Sequence, residues 1–189
     1  AARSTPDATG RLANPAHRLC YHGRAMPSLG ILTSSDLGSR GQREDTSGQR
    51  IREMLEPVGF NVLRYEVVPD ERPVLEDRLR RWADDDALDL IVTTGGTGLT
   101  TRDVTPEATL AVVDREVPGM AEAMRVQTFK NTPLAMISRS VVGVRGRTLI
   151  INLPGSPRGV QECLDVVLPV LLHAVEMLQE SPPAHEPPE

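Results

Sequence analysis

The sequence predicts an α/β protein, specifically a three-layer α/β/α sandwich around a mostly parallel sheet. Three observations support this fold class. Short apolar runs of strand length alternate with amphipathic helical stretches along the chain. The length of 189 residues suits one ordinary α/β domain. Hydrophobic residues make up 39% of the chain and charged residues 25%, a composition that can form a core.

The domain itself is expected to span residues 27–180. Its predicted strands are Leu29–Leu32, Phe60–Val68, Leu88–Val92, Leu134–Ile137 and Thr148–Leu153. Its predicted helices are Thr46–Leu55, Pro73–Trp82, 106–114, 119–128 and 157–179. The run Leu88–Val92 is the most continuously apolar, which places it at the centre of the sheet. In such sheets ligands bind beyond the carboxyl ends of the strands, so the loops that begin at Thr33, Pro69, Thr93 and Pro154 should line one crevice.

The two ends of the chain are predicted to lie outside this domain. Residues 1–26 are rich in arginine and small residues, with no apolar period, and are expected to form a disordered extension. Residues 181–189 form a Pro-rich tail that cannot continue a helix.

Composition excludes several classes of protein. A net charge of −5 and 3% aromatic residues argue against nucleic-acid binding. No apolar run approaches the length of a membrane span, so a soluble, cytoplasmic protein is expected. Lys130 is the only lysine and lies outside any glycine loop, which excludes a P-loop. The positions of the four histidines and two cysteines disfavour a histidine-dependent triad, a zinc site or a disulfide framework.

The strongest local signal is a loop directly after the central strand. It reads Thr93, Thr94, Gly95, Gly96, Thr97, Gly98. Glycines allow backbone N–H groups to approach an anion closely, and threonine hydroxyls add donors. The loop matches neither common phosphate-binding fingerprint, and a plain glycine turn is the structural alternative. Its position after a buried strand favours an anion site.

Two carboxylates should lie beside this loop. Asp103 follows it, and the sequence Thr105-Pro106-Glu107 already supplies an N-cap for the next helix, which leaves Asp103 for another role. Asp70 follows the second strand and, taken alone, would be read as a helix cap. The fold brings both to one crevice, and two carboxylates with phosphate oxygens form a typical Mg²⁺ site.

Three further loops carry candidate ligand contacts. The first loop contains Asp45, Ser47 and Gly48, with Asp45 also a plausible helix cap. Pro154-Gly155-Ser156 opens the last helix and aims free N–H groups at the crevice. Ser138 follows another predicted strand. These features together predict a Mg²⁺-dependent enzyme that acts on a phosphorylated or nucleotide substrate, and they leave the second substrate open.

Several separated motifs resemble one known family. They are residues 93–98, residues 102–109 from Arg102 to Thr109, and residues 149–157 from Leu149 to Pro157. In this order they resemble the MogA/MoaB-type proteins of molybdenum cofactor biosynthesis, a family that includes the G domain of gephyrin. The resemblance extends from about Gly30 to Leu178 and also takes in Asp45, Ser47, Asp70 and Ser138.

The resemblance implies a reaction. Members of this family adenylylate molybdopterin with ATP and Mg²⁺ and release diphosphate, usually as trimers. The functional aspartates of the family correspond to Asp70 and Asp103, with Asp103 the expected metal ligand and Asp70 assisting it. The glycine loop would hold the ATP phosphates, and Asp45, Ser47, Ser138 and Ser156 would contact substrate. A homotrimer and other molybdenum cofactor proteins are the expected protein partners.

Three alternatives remain open at this point. The first is a family member that binds molybdopterin as a scaffold or carrier without catalysis, against which the presence of both aspartates argues. The second is a different Mg²⁺-dependent nucleotidyl- or phosphotransferase on an α/β frame. The third is an oligomeric interaction module, suggested by an apolar stripe on the last helix that core packing or a trimer contact explains better. The stripe consists of Val160, Leu164, Val167, Leu171, Val175 and Leu178.

Overall fold

The structure is a computed structural model that describes residues 20, 21 and 24–180. Six strands form the main sheet: β3 (Ser28–Ser34), β4 (Asn61–Val68), β5 (Leu90–Thr94), β6 (Arg115–Glu116), β7 (Val142–Arg145) and β8 (Thr148–Leu153). Two short strands, β1 (Cys20–Tyr21) and β2 (Arg24–Ala25), pair separately. Most of the predicted N-terminal extension and all of the predicted tail at 181–189 lie outside the described residues.

Helices cover both faces of the sheet. They are α1 (Asp36–Ser39), α2 (Thr46–Leu55), α3 (Arg72–Asp84), α4 (Thr105–Leu110), α5 (Pro118–Thr128) and α6 (Pro157–Glu180). Two 3₁₀ helices occupy Glu56–Val58 and Pro133–Ile137. Across the described residues, no helix has the length and apolar character needed to cross a membrane.

The main sheet is mostly parallel, as predicted. Its order is β4-β3-β5-β8-β7-β6, and the first four of these strands run parallel. The strand β7 returns antiparallel to β8, and β6 pairs antiparallel with β7. The central strand β5 is buried at every position, which confirms the interpretation of the apolar run that begins at Leu88. The carboxyl ends of β3, β4, β5 and β8 therefore meet at one edge.

Alternation along the strands builds two cores, one on each side of the sheet. In β5, Leu90 and Val92 face a core with α2, α5 and α6, while Ile91 faces a core with α3 and α4. In β8, Ile151 joins the first core and Ile150 joins the second. This period of two produces the three layers, because each face of a buried parallel strand needs its own apolar cover.

The predicted strand Leu134–Ile137 is wrong. These residues belong to the 3₁₀ helix Pro133–Ile137, which Thr132 caps by accepting a hydrogen bond from the Leu134 N–H. Pro133 cannot donate to a strand ladder, and Leu134 and Met136 are 69% and 68% exposed. The strand of this region is instead β7, which forms a tight hairpin with β8 around Gly146 at φ +54°.

The apolar stripe of α6 is core packing. Five of its six members are buried against the sheet and against α2 and α5: Val160, Leu164, Val167, Leu171 and Val175. Leu178 is partly buried against the same cluster. The stripe therefore leaves no free interaction face on this side of α6.

Candidate functional site

A cavity of about 310 Å³ opens at the carboxyl edge of the sheet. Residues from all four predicted loops line it, which confirms that these loops surround one crevice. The predicted site residues in its wall are Asp45, Ser47, Asp70, Thr94, Gly95, Gly96, Asp103 and Gly155. We call this the first cavity.

The glycine loop adopts a conformation that only glycine tolerates well. Gly95 has φ +89° and Gly96 has φ +62°. A Cβ atom on Gly95 would clash with the carbonyl oxygen of Ser34, so the loop and the end of β3 are in direct contact. The Thr94 hydroxyl donates to the carbonyl of Pro154 at 2.6 Å. The loop is thus fixed between the ends of β3 and β8.

Asp70 is not the helix cap that its position alone suggested. The N-cap of α3 is Glu71, which makes no capping side-chain hydrogen bond. Asp70 instead reaches the end of β3, where its Oδ1 accepts from the Ser34 hydroxyl at 2.6 Å and its Oδ2 from the Asp36 N–H at 2.9 Å. Gly96 lies beside it, since a Cβ there would be 3.5 Å from Asp70 Oδ1.

The carboxylate of Asp103 is held by hydrogen bonds from its own loop. Its Oδ2 accepts from the Thr100 N–H at 2.8 Å and from the Thr100 hydroxyl at 2.6 Å. Burial raises the pKa of Asp103, but these bonds, the Gly98 backbone and the charge of Arg139 outweigh burial, so the pKa lies below its ordinary value. The predicted N-cap at Thr105 is wrong by one residue: Val104 precedes the helix, and the buried Thr105 hydroxyl donates to the Gly95 carbonyl.

Asp70 and Asp103 line the same cavity, where each could bind Mg²⁺ together with a bound phosphate. Among the described residues no group of three or more His, Cys, Asp or Glu side chains could hold a metal ion by itself. Mg²⁺ typically takes one or two carboxylates and completes its shell with phosphate oxygens and water. The hydrogen bonds to Asp70 and Asp103 leave carboxylate lone pairs unused, so both can act as ligands.

Asp45 has a structural role. Its Oδ1 accepts from the Gly48 N–H at 2.9 Å and caps α2, as the structural alternative predicted. Its Oδ2 accepts from the Tyr65 hydroxyl at 2.6 Å and from the Thr33 hydroxyl at 2.7 Å. Burial, followed by the Asp45 carboxylate, raises the pKa of Tyr65, which keeps the phenol protonated as a donor. Gly48 packs beneath this cluster, where a Cβ would clash with Asp45 Oδ2.

A second cavity of about 250 Å³ contains the remaining predicted site residues except Gly48, which lines neither cavity. These are Thr97, Gly98, Ser138, Pro154 and Ser156. The predicted set is therefore divided between two neighbouring cavities, with Thr97 following Gly96 and Pro154 preceding Gly155 of the first cavity along the chain. The second cavity also has an apolar wall from α5 and the 3₁₀ helix, which includes Ala121, Met124 and Ala135.

Sequence reasoning missed residues in both cavities. Arg102 lies in the wall of the first cavity and pairs with Asp36, and Ser34 binds Asp70. Ser34 ends a buried strand as Thr94 does, and that position was an available signal. Cys163 lies in the second cavity, where burial raises the pKa of its thiol to about 11. A lone cysteine in a helical apolar run gave no signal.

Fold and site together define a class of protein: a three-layer α/β domain with a polar, carboxylate-bearing cavity beyond its parallel strands. Comparison with known families places the chain within that class. The family described as "Probable molybdopterin binding domain" matches residues 30–173. The chain belongs to this family of molybdenum cofactor biosynthesis proteins.

Individual relatives agree with this assignment. A molybdopterin adenylyltransferase of Helicobacter pylori is 44% identical over 152 residues, which cover 79% of this chain and 86% of that protein. The molybdopterin adenylyltransferase of Escherichia coli K12 is 40% identical over 141 residues, which cover 74% of this chain and 72% of that protein. The crystal structure of the molybdopterin biosynthesis enzyme MoaB from Thermus thermophilus superposes with a TM-score of 0.78 at 57% identity, covering 83% of this chain and 99% of that one.

Proposed function

We propose that this protein transfers the adenylyl group of ATP to molybdopterin with the help of Mg²⁺. The products are adenylyl-molybdopterin and diphosphate. One observation carries the proposal: Asp70, Asp103 and the glycine loop line one cavity, and the continuation of that loop lines a second cavity beside it. The relatives named molybdopterin adenylyltransferase support the same reaction.

The first cavity suits the triphosphate of ATP. The positive φ angles of Gly95 and Gly96 bring backbone close to the cavity without side chains in the way, and the N-terminal turn of α2 also borders it. Mg²⁺ held by Asp103 and Asp70 would neutralise phosphate charge at this place. Without a cation, two carboxylates would repel the triphosphate, so their presence favours a metal–nucleotide complex over a free anion.

The second cavity suits the pterin. Its apolar wall provides contact area for a flat heterocycle, and the hydroxyls of Ser138, Ser140 and Thr97 provide polar contacts. An oxygen of the molybdopterin phosphate then attacks the α-phosphorus of ATP, a new P–O bond forms, and the bond to diphosphate breaks. The chain contributes by orienting both substrates and by balancing charge, so no catalytic histidine is needed.

The test is single-turnover adenylyl transfer. Purified protein is mixed with molybdopterin, ATP and Mg²⁺, and adenylyl-molybdopterin and diphosphate are measured as they form. We expect both products in equal amounts. Tight binding of molybdopterin without either product would contradict the proposal and favour a scaffold or carrier. Adenylyl transfer to other acceptors without pterin binding would favour a different nucleotidyltransferase.

The predicted homotrimer is also a proposal, and it needs a surface other than the buried stripe of α6. Large exposed apolar side chains cluster at the end of α5 and in the following 3₁₀ helix: Val126, Phe129, Leu134, Met136 and Ile137. Apolar patches of this kind are typical of protein contacts. We expect sedimentation velocity to show a trimer for the wild type and a monomer for Phe129→Asp. A monomeric wild type would contradict the trimer. The cytoplasmic location and the contacts with other cofactor proteins stay predictions.

A further inference from the structure

One arginine between the two cavities holds the backbone that carries Asp103. Arg139 lies between Ser138 and Ser140, both in the wall of the second cavity. Its side chain points to the other side, toward the loop from Gly98 to Asp103. Arg139 therefore adds a side-chain connection between the two cavities to the direct chain connections at Gly96–Thr97 and Pro154–Gly155.

All three nitrogens of the Arg139 guanidinium bind either the loop from Gly98 to Asp103 or α4, the helix that follows it. Nε donates to the carbonyl oxygen of Gly98 at 2.6 Å, and Nη2 donates to the carbonyl oxygen of Asp103 at 2.5 Å. Nη1 pairs with the carboxylate of Glu107 in α4. The backbone N–H of Arg139 also donates to the carbonyl of Thr97 at 3.0 Å. Both ends of the loop are thus fixed to one planar group.

This arrangement requires arginine. The guanidinium presents five N–H donors in a rigid fork, whereas a lysine ammonium is a point charge on a flexible stem. A lysine at position 139 could not reach the Gly98 carbonyl, the Asp103 carbonyl and Glu107 together. The same cation also lowers the pKa of Asp103 and Glu107, against the opposing and larger effect of burial in each case.

We propose that Arg139 is a positioning residue that holds Asp103 for nucleotide binding and makes the first cavity respond to a ligand in the second. A ligand held by Ser138 and Ser140 fixes the backbone of Arg139, and Arg139 fixes the loop of Asp103. Nucleotide then binds to a loop that is already ordered, which is positive coupling between the two sites. This inference rests on the proposed function for the identity of both ligands.

A matched control exists at the end of β7. Arg145 is similarly half-buried and pairs with Asp84 through Nε and Nη2, while its Nη1 donates to the carbonyl of Val112. It resembles Arg139 in its contacts but lines neither cavity. Any general loss of stability from removing such an arginine should therefore appear in Arg145→Ala as well.

The experiment measures the affinity of α,β-methylene-ATP with Mg²⁺, in the presence and absence of molybdopterin, for the full chain and both variants. We expect molybdopterin to tighten nucleotide binding at least about 5-fold in the wild type and in Arg145→Ala. In Arg139→Ala the ratio of nucleotide affinities with and without molybdopterin should fall close to one. In Arg139→Lys this ratio should recover only in part. A preserved ratio in Arg139→Ala, or no tightening in the wild type, would overturn the coupling.

A second readout separates this inference from the proposed function. Amide hydrogen exchange of residues 99–104 needs no ligand, and we expect it to accelerate in Arg139→Ala but not in Arg145→Ala. Unchanged exchange would overturn the positioning role even if the protein turns over. Failure of the wild type to bind the nucleotide analogue, with accelerated exchange in Arg139→Ala, would instead refute the proposed function and leave Arg139 as the residue that holds this loop.

Discussion

Arg102, in the wall of the first cavity, forms a bidentate ion pair with Asp36, although 66 residues separate the two. Nη2 of Arg102 lies 2.7 Å from Oδ1 of Asp36, and Nε lies 3.1 Å from Oδ2. Asp36 Oδ1 in turn accepts from the backbone N–H of Asp70 at 3.2 Å. The pair therefore joins the loop that carries Asp103 to the segment that carries Asp70.

This relationship predicts the effect of Asp36→Asn. Such exposed pairs contribute about 0–1 kcal/mol, so the free energy of unfolding should change little. Misplacement of both aspartates should nevertheless lower kcat by about 10-fold or more, because small displacements of a reacting group are costly. The matched control is Asp86→Asn, which removes the bidentate partner of Arg64 away from the cavities and should leave kcat unchanged. Equal kcat values for both variants would contradict the role of the pair.

Gly95→Ala should destabilise the protein. The new Cβ would clash with a backbone oxygen at a φ of +89°, and neither strain can be relieved by a side-chain rotation. We expect a loss of about 1–3 kcal/mol in the free energy of unfolding, measured by urea titration, together with loss of adenylyl transfer. Gly119→Ala is the control, since a Cβ there meets no atom within 4 Å in the first turn of α5. Wild-type stability of Gly95→Ala would show that the loop can relax.

Tyr65→Phe tests whether Asp45 is a structural residue. The substitution removes the 2.6 Å hydrogen bond to the carboxylate and leaves those from Thr33 and Gly48. A hydrogen bond to a charged group contributes about 1.5–3 kcal/mol to stability. The free energy of unfolding should therefore fall by about 1.5 kcal/mol. The KM for ATP and for molybdopterin should stay close to the wild-type values. A large rise in either KM with unchanged stability would favour a direct substrate contact of Asp45.

The loss of folding stability at acidic pH should depend on Arg139. Burial raises the pKa of Asp103 and of Glu107, but hydrogen bonds and the charge of Arg139 prevail, and both lie below their ordinary values of 3.8 and 4.5. A lowered folded-state pKa gives stability that is present above the unfolded pKa and is lost as the pH falls through the folded pKa. Urea midpoints should thus stay level from about pH 8 to about pH 5 and decline below that.

In Arg139→Gln the total loss of stability at low pH should be smaller than in the wild type. Removal of the cation lets the pKa of Glu107 rise toward its ordinary range, so less stability is left to lose at low pH. Arg158→Gln is the control, because the Arg158 side chain is 78% exposed and its pair contributes little. Superimposable losses of stability at acidic pH for wild type and Arg139→Gln would contradict this pKa assignment.

Much of the fold could be predicted from local pattern. The helix Thr46–Leu55 and the strand Thr148–Leu153 have the predicted bounds, because a capping aspartate precedes the first and continuous apolar residues dominate the second. The run Leu134–Ile137 was wrongly predicted as a strand. Four consecutive apolar residues are too short a pattern to distinguish a strand from a helical turn. The neighbouring hairpin of β7 and β8 had a readable signal, two apolar runs around Gly146.

The site was predicted less completely than the fold. Strand topology brought Asp70 and Asp103 to one edge, and this much follows from the alternation of strands and helices. The division into two cavities depends on where α5 and the 3₁₀ helix pack against the sheet. The contacts of Arg102 with Asp36 and of Arg139 with Gly98 span 66 and 41 residues, and no local pattern encodes such pairs.

The measurement that tests the central claim most directly is single-turnover adenylyl transfer by Asp103→Asn and Asp70→Asn, with molybdopterin affinity measured alongside. Each substitution keeps the side-chain size but removes a charge that, under the proposed function, would bind the metal–phosphate complex. We predict a rate at least about 10²-fold below the wild type with little change in molybdopterin affinity, in line with the loss of one electrostatic group at a reacting phosphate. Wild-type rates in both variants would show that the two carboxylates do not hold the metal–nucleotide complex.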